Sequence, residues 1–366
     1  MSKLVIFSDL HSHTFGPYST VLPDGTNSRL QDAINVISKV REVAKTVDAD
    51  AVIFTGDLFH ERRHIVTQAF NKTYEAMSMF AVDRMPLLMI HGNHDQADRL
   101  GRHHALKAFS TFATVVDNAG WVEFQGKECM YDIFAVPYVE NANHLEEILD
   151  GAGPNFPLDK KEWPKIFLGH MGVEGAKLGA DFVYTNGNEP SVEDLPTDLF
   201  DAGFLGHFHL HQELAPNFWY VGAPLQHNWG DIGQPRGCMV YDTETKVGSH
   251  IPFEGVSPTF MEITSAEARI KRDDCSGNIV RVVSDKPWSE DDIEASRVAL
   301  GALSLEVSGQ KVDVNEAYEA RLKIDPGASY DEMVAGYVQS GLVELEGLEE
   351  DWLIEVGHKI LAKVSS

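Results

Sequence analysis

Between its start and about residue 255 the chain repeats one pattern. A short β-rich run ends in a loop of Asp, Asn, Gly and His, and the runs are "LVIFSD", "AVIFTGD", "PLLMIHGNHD", "YDIFAVPY", "KIFLGH", "FLGHFH", "FWYVGAP" and "GCMVYDTE". Helical stretches separate the first three. "SRLQDAINVISKVREVAKTV" opens on Ser28, the expected cap, and places Leu30, Ile34, Ile37, Val40 and Ala44 at spacings of three and four. "TQAFNKTYEAMSMFAVD" behaves in the same way, and Met77, Met79 and Met89 are expected in the core. Early strands alternate with helices while later ones follow each other closely. That order predicts a layered α/β body of two sheets flanked by helices.

After "SHIPFEG" the character changes. "NIVRVVSDKPWSEDDIEASRVALGAL" reads as a strand and then a helix capped by Ser289, with Glu290, Asp291 and Asp292 in the first turn, where the helix dipole favours acids. This is a small α/β module. The "DPGAS" stretch at 325–329 then makes a break, and two helical segments are expected at 330–340 and about 348–364. The last carries Leu353, Val356, Ile360 and Val364 on one stripe. The expected organisation is therefore a main domain over 1–255, a small α/β capping module over 256–326 and a helical segment over 327–366.

Composition narrows the function. Three cysteines (Cys129, Cys238 and Cys275) without C-x-x-C spacing argue against a disulfide framework or a zinc–thiolate site. Asp9 breaks the first apolar run, so no signal peptide is expected, and no run approaches the roughly 20 apolar residues of a membrane span. The expectation is a soluble cytoplasmic protein. The net charge of −26 opposes any protein that holds nucleic acid chiefly by neutralising phosphates.

The polar residues at the ends of the β-runs form an ordered set. They are Asp9 and His11, then Asp57, then Asn93, His94 and Asp95, then His170, then His207 and His209. Hard oxygen and borderline nitrogen donors without a thiolate suit manganese, magnesium, iron or zinc far better than copper(I) or an iron–sulfur cluster. Gly56, Gly92, Gly169 and Gly206 each precede a candidate ligand, as expected where a strand must turn sharply to present a side chain. One D-x-H or one G-H-x-H is as compatible with a polar turn as with a site. Five such clusters in order are not.

The series "DLH", "GDLFH", "GNHD", "GH" and "GHFH" resembles the calcineurin-like metallophosphoesterases, whose fold is a β-sandwich covered by helices. "GDLFH" lacks the Arg that protein phosphatases carry after a second Asp, and "GNHD" in place of "GNHE" is similar to the nuclease branch. "GHFHLHQELAPNFWYVGAPLQHNWGDIGQPRGCMVYDTET" resembles bacteriophage recombination nuclease subunits, relatives of bacterial SbcD. The motifs cover roughly 1–255, and beyond that the similarity is architectural.

The resemblance implies two divalent metal ions, manganese first with magnesium as the alternative. One would be held by Asp9, His11, Asp57 and His209 and the other by Asp57, Asn93, His170 and His207, so that Asp57 bridges. It implies two-metal hydrolysis of DNA phosphodiesters, as a double-strand exonuclease and single-strand endonuclease in recombination and repair. His94 would stabilise or protonate the leaving oxygen, Asp95 would orient its ring, and His60 would align the DNA phosphate. His13 has no counterpart among the family ligands and reads as a site-wall or surface residue. Arg62, Arg63, Arg99, Arg102, His103 and His104 are candidates for touching the DNA backbone, whereas His91, His144, His211, His227, His250 and His358 receive no role.

The implied partner is an SbcC-like coiled-coil ABC-type ATPase that supplies the DNA grip an acidic chain lacks. The arrangement would be a homodimer within a heterotetramer, in the cytoplasm (the bacterial host's, if the chain is phage-encoded), and the 327–366 segment would bind the ATPase. The competing reading is a metallophosphoesterase acting on a small phosphodiester or a phosphoprotein. A scaffold without catalysis is disfavoured because no ligand position is missing.

Overall fold

The computed structural model describes residues 2–153, 162–178, 183–185, 189–270 and 273–309, together with 354 and 356. The chain forms two compact units, Met1–Ser308 and Gly309–Ser366. The "DPGAS" break, the boundary near 326 and the C-terminal helical stripe lie outside the described residues, apart from Ile354 and Val356, both helical.

In the first unit, β1 (Lys3–Phe7), α1 (Ser28–Thr46), β2 (Ala51–Phe54), α2 (Thr67–Val82), β3 (Leu87–Ile90) and β4 (Thr114–Val116) open the chain. Next come β5 (Gly120–Gln125), β6 (Met130–Val136), α3 (Ala142–Asp150), β7 (Lys165–His170) and β8 (Ala202–Gly206). The main body closes with β9 (Gln212–Ala215), β10 (Phe218–Tyr220), β11 (Gly237–Asp242) and β12 (Val247–Pro252). These strands make two six-stranded sheets, ordered β12-β11-β1-β2-β3-β4 and β5-β6-β7-β8-β10-β9. The two-sheet α/β body expected from the strand and helix order is what forms.

The central strands β1, β2, β3, β7 and β8 are largely apolar because both faces are covered. In β1, Val5 and Phe7 pack with Val36, Ile37 and Val40 of α1 and with Met77 and Phe80 of α2. Leu4 and Ile6 pack between the sheets against Ile133, Ile166, Leu168 and Phe204. The far side of the second sheet is covered by Leu145 and Leu149 of α3. Met77 and Met89 are buried as expected, but Met79 is 36% exposed, because it falls on the outward side of α2.

Parallel pairing decides where the site lies. Phe7 is opposite Phe54 and Phe54 opposite Met89, so β1, β2 and β3 end side by side. In the other sheet His170 is opposite Gly206, so β7 and β8 end together as well. All the loops that follow these strands therefore meet at one rim, where open α/β sheets bind ligands.

The expected cap of α1 shifts by one residue. Asn27, with extended backbone, accepts from the Leu30 N–H at 3.1 Å, while Ser28 is already helical and its hydroxyl accepts from Thr20 N–H at 3.0 Å. Ser289 does cap α4 (Glu290–Leu300), accepting from the Asp292 N–H at 3.2 Å. That helix crosses between β14 (Ile279–Val283) and β15 (Ser304–Ser308), and β13 (Phe260–Thr264) completes a three-stranded parallel sheet in the order β13-β14-β15. Among the described residues no helix is long and apolar enough to cross a membrane.

Candidate metal centre

The loops after β1 and β2 continue to pair once the strands stop. Asp9 N–H donates to Gly56 O at 2.9 Å, His11 N–H to Asp57 O at 3.0 Å, and Ser12 N–H to Leu58 O at 2.8 Å. Four candidate ligands on the rim have left-handed backbones: Asp9 (φ 50), His11 (φ 48), Asp57 (φ 61) and His207 (φ 100). Such a conformation costs an L-residue roughly 1–2 kcal/mol, and it persists only where the surroundings over-determine it. Two glycines allow the close packing. A methyl at Gly56 (φ 106) would overlap the His170 Nδ1, and one at Gly92 would overlap both the side chain and the backbone nitrogen of Asp57.

The result is a row of donors on both sides of Asp57. On one side His11 Nε2 lies 3.7 Å from Asp57 Oδ2 and 3.1 Å from His209 Nε2. On the other, His170 Nε2 lies 3.4 Å from Asp57 Oδ2 and 3.2 Å from Asn93 Oδ1, and His207 Nδ1 lies 3.1 Å from the same Asn93 oxygen. The Asp9 carboxylate accepts from His207 N–H at 3.0 Å and joins His11 and His209 in one cluster and Asp57 and His170 in another. All seven sequence-predicted ligand residues, Asp9, His11, Asp57, Asn93, His170, His207 and His209, are thus brought together.

Electrostatics favour a cation here. Burial holds His11 well below its ordinary pKa and lowers His207 to about 3, so both rings are neutral and present lone pairs. Burial also raises the carboxyl of Asp9. It opposes ionisation of Asp57 too, but the adjoining His170 and then His11 outweigh it and hold that carboxyl well below the usual range. His170 is lifted to about 9: burial would lower it, and the Asp57 carboxylate overrides burial. The His170 Nδ1–H donates to Thr55 O at 2.8 Å, which aims Nε2 at Asn93 and Asp57. Buried His11 Nδ1 has no hydrogen-bond partner among the described residues. Facing imidazole nitrogens, carboxylates and an amide oxygen at hydrogen-bond spacing are a donor set that fits hard or borderline divalent ions.

Next to this row stand His94 and His60, their rings stacked at 5.5 Å. His94 N–H donates to Asp57 Oδ1 at 2.8 Å, and its ring Nδ1–H donates to the His60 carbonyl at 2.6 Å. The expectation that Asp95 orients the His94 ring is therefore corrected. Asp95 turns the other way and accepts four backbone N–H groups: those of Asp57 (2.8 Å) and Gly92 (3.0 Å) on Oδ2, and those of Leu58 (2.9 Å) and Phe59 (3.2 Å) on Oδ1. It fastens the β3 loop to the β2 loop. Burial, with the Asp57 carboxylate adding to it, pushes Asp95 up to about 7, and the N–H donors pull it back. Burial and then the charge of His94 lower His60.

A cleft of about 300 Å³ opens over the donors, lined by His11, Phe15, His60, His94, His209 and His227 among others. Beside it a groove of about 610 Å³ is lined by Arg62, Arg63, Arg99 and Tyr138, with Glu61 and Glu140 as counter-charges. Arg102 lines a separate groove. His103 pairs with Asp98 at 2.8 Å, and the His104 ring is stacked on His91 and held 3.1 Å from Asp117, so neither points to the donors. His13 is half-buried, 5.0 Å from the Phe15 ring and 5.6 Å from His60.

Sequence reasoning missed three residues at this rim. His227 donates from Nε2 to the Asp9 carbonyl at 3.1 Å, and its ring lies 5.0 Å from those of both His11 and His209. Tyr138 stacks over His207 at 6.0 Å. Arg236, buried, pairs with buried Asp231 at 2.6 Å and donates to the His209 carbonyl. No glycine precedes His227 and it does not end a β-run, so the pattern that found the other histidines passes over it.

Known proteins resemble this chain in sequence. The SbcD subunit of the SbcCD nuclease of Staphylococcus saprophyticus is 24% identical over 239 residues, covering 60% of this chain and 62% of that protein. Exonuclease subunit 1 of Enterobacteria phage T4 is 26% identical over 223 residues, 60% of each chain. The chain thus spans about three fifths of the length of these relatives. Purple acid phosphatase PPD1 from yellow lupin superposes with a TM-score of 0.36 at 16% identity, over 65% of this chain and 48% of that one. The family model described as calcineurin-like phosphoesterase matches residues 2–211, the stretch that runs from the first strand through His209, and the chain belongs to that family.

Proposed function

We propose that this chain is the nuclease subunit of a manganese-dependent DNA-processing complex, cutting DNA phosphodiesters in recombination and repair and working with a coiled-coil ABC-type ATPase. The observation that carries the reading is the row of donors shared across Asp57, with the His94 ring fixed beside it. Asp9, His11, Asp57 and His209 would hold one ion and Asp57, Asn93, His170 and His207 the other. When bound, two divalent cations supply the Lewis acidity that makes water nucleophilic at neutral pH and offset phosphate charge.

The rest is work for the chain's own side chains. His94 keeps the Nδ1 proton on the His60 carbonyl, so Nε2 is the atom that exchanges a proton with the leaving oxygen. Asp95 keeps the ligand loops in register. His60, Arg62 and Arg63 line the groove beside the donors, and a groove of that extent suits a long phosphodiester better than a small one. The names of the two nuclease relatives support the substrate class, and "subunit" in both names supports a partner. The net charge of −26 agrees with a chain that relies on that partner to hold DNA.

The test compares linear duplex DNA, single-stranded DNA and methyl p-nitrophenyl phosphate as substrates, in manganese and in magnesium, with and without the ATPase. Manganese-dependent DNA cleavage stimulated by the ATPase is expected. Hydrolysis of the small diester with no cleavage of either DNA would refute the nuclease reading and leave a small-molecule phosphodiesterase.

A further inference from the structure

One residue of the cleft serves neither metal binding nor the core. Phe15 lines a cleft otherwise made of imidazoles, amides and a carboxylate, and it belongs to none of the apolar clusters of the described residues. Yet the chain invests heavily in its position. The Phe15 carbonyl accepts from Ser19 Oγ at 2.6 Å and from Asn27 Nδ2 at 2.8 Å. Asn27 is also the cap of α1, so the aromatic residue is tied to the start of a rigid helix. The Arg29 guanidinium carbon sits 4.6 Å from the Phe15 ring centroid, while its Nη2 donates to the His227 carbonyl at 3.1 Å. The His60 ring is 4.9 Å away at a tilt of 58° and the His13 ring 5.0 Å away edge to face, and the half-buried Phe15 ring still lines the cleft.

A half-buried, fixed phenyl ring contributes nothing to phosphate binding. It does offer a π surface, and the part of a nucleic acid that has one is the base. We propose that Phe15, held by Arg29 and the α1 cap, is a stacking platform for the base next to the cleaved phosphodiester. This rests on the nuclease reading and adds to it: the site recognises a nucleotide rather than a bare diester. Stacking tolerates any of the four bases, so the platform gives affinity for unpaired DNA ends without sequence preference.

The experiment is a cycle between the protein and the base. Single-stranded oligodeoxynucleotides are made with an abasic residue at either nucleotide flanking the cleaved bond, and kcat/KM is measured with the full chain in manganese. Wild type is expected to prefer the base-bearing strand by about 5- to 150-fold at one of the two positions. In Phe15→Ala that ratio falls to about one, and Phe15→Tyr restores it. Phe15→Leu, which keeps most of the volume, is measured alongside so that poor folding of the alanine variant does not decide the result. Manganese binding, read by calorimetry, is unchanged in the leucine variant.

An equal base-to-abasic ratio in wild type and all three variants, with DNA still cleaved, overturns the platform and leaves the nuclease reading standing. Cleavage of methyl p-nitrophenyl phosphate but of no DNA overturns both.

Discussion

The four hydrogen bonds on Asp95 make a prediction that separates two roles for one carboxylate. At pH 8 the side chain is ionised, and each oxygen accepts two backbone N–H groups. In Asp95→Asn one oxygen remains and the other becomes an NH2. Whichever way the amide is turned, its NH2 faces two N–H donors, either those of Asp57 and Gly92 or those of Leu58 and Phe59. Two charge-assisted bonds are lost, and two buried donors are left without an acceptor, at about 1–3 kcal/mol each. Asp95 is 1% exposed, so water does not easily make good the loss.

The expected destabilisation is about 3–5 kcal/mol. At about 2 °C per kcal/mol in a large domain, this lowers Tm by roughly 6–10 °C. Asp57 N–H and Gly92 N–H flank the ligand loops, so manganese affinity, measured by calorimetry below the melting range, falls with it. A carboxylate that only oriented His94 would give the opposite pattern: normal Tm and normal metal affinity, with kcat alone reduced. That pattern would refute the reasoning.

Three further outcomes are expected. His94→Ala folds and binds manganese as wild type does but loses at least about 100-fold in kcat, because a positioned acid is removed; wild-type turnover would take His94 out of the reaction. Asp231→Ala strands the buried Arg236 guanidinium and costs about 3–5 kcal/mol in urea unfolding, whereas Asp231→Ala with Arg236→Met recovers part of the loss; simple addition of the two single losses would mean the pair is uncoupled. Burial, offset in part by Arg29, raises Asp32 to about 6, so its ionisation weakens the fold as pH rises from about 4 through 6; Asp32→Asn therefore raises Tm at pH 8, by an amount that shrinks as pH falls towards 4.

Much of this fold was readable because β1, β2, β3, β7 and β8 are apolar without alternation, and only burial on both faces explains that pattern. The candidate ligand set was readable because each member ends such a run. What escaped has physical causes. α3 is short, and β5 is largely half-buried, so neither gives a long periodic signal. β13 and β15 are the outer strands of the three-stranded sheet and are likewise partly exposed. Asn27 takes the cap from Ser28 because cap position depends on which residue leaves the extended region, and two good capping residues in succession do not say. Asp95 was misassigned for a related reason. Sequence adjacency placed it next to His94, but consecutive residues of a tight turn point apart, and the carboxylate goes to the neighbouring loop.

The left-handed backbones at Asp9, His11, Asp57 and His207 also bear on how this protein can be engineered. Glycine relieves such a conformation, and asparagine eases it. In a library selected for heat resistance alone, these are positions where substitution would be rewarded, by up to roughly 1–2 kcal/mol each before lost contacts are counted. Thermal selection and metal binding would then pull the same residues in opposite directions. The most heat-resistant members of the library would accumulate chains that keep both sheets intact and have emptied the rim of ligands.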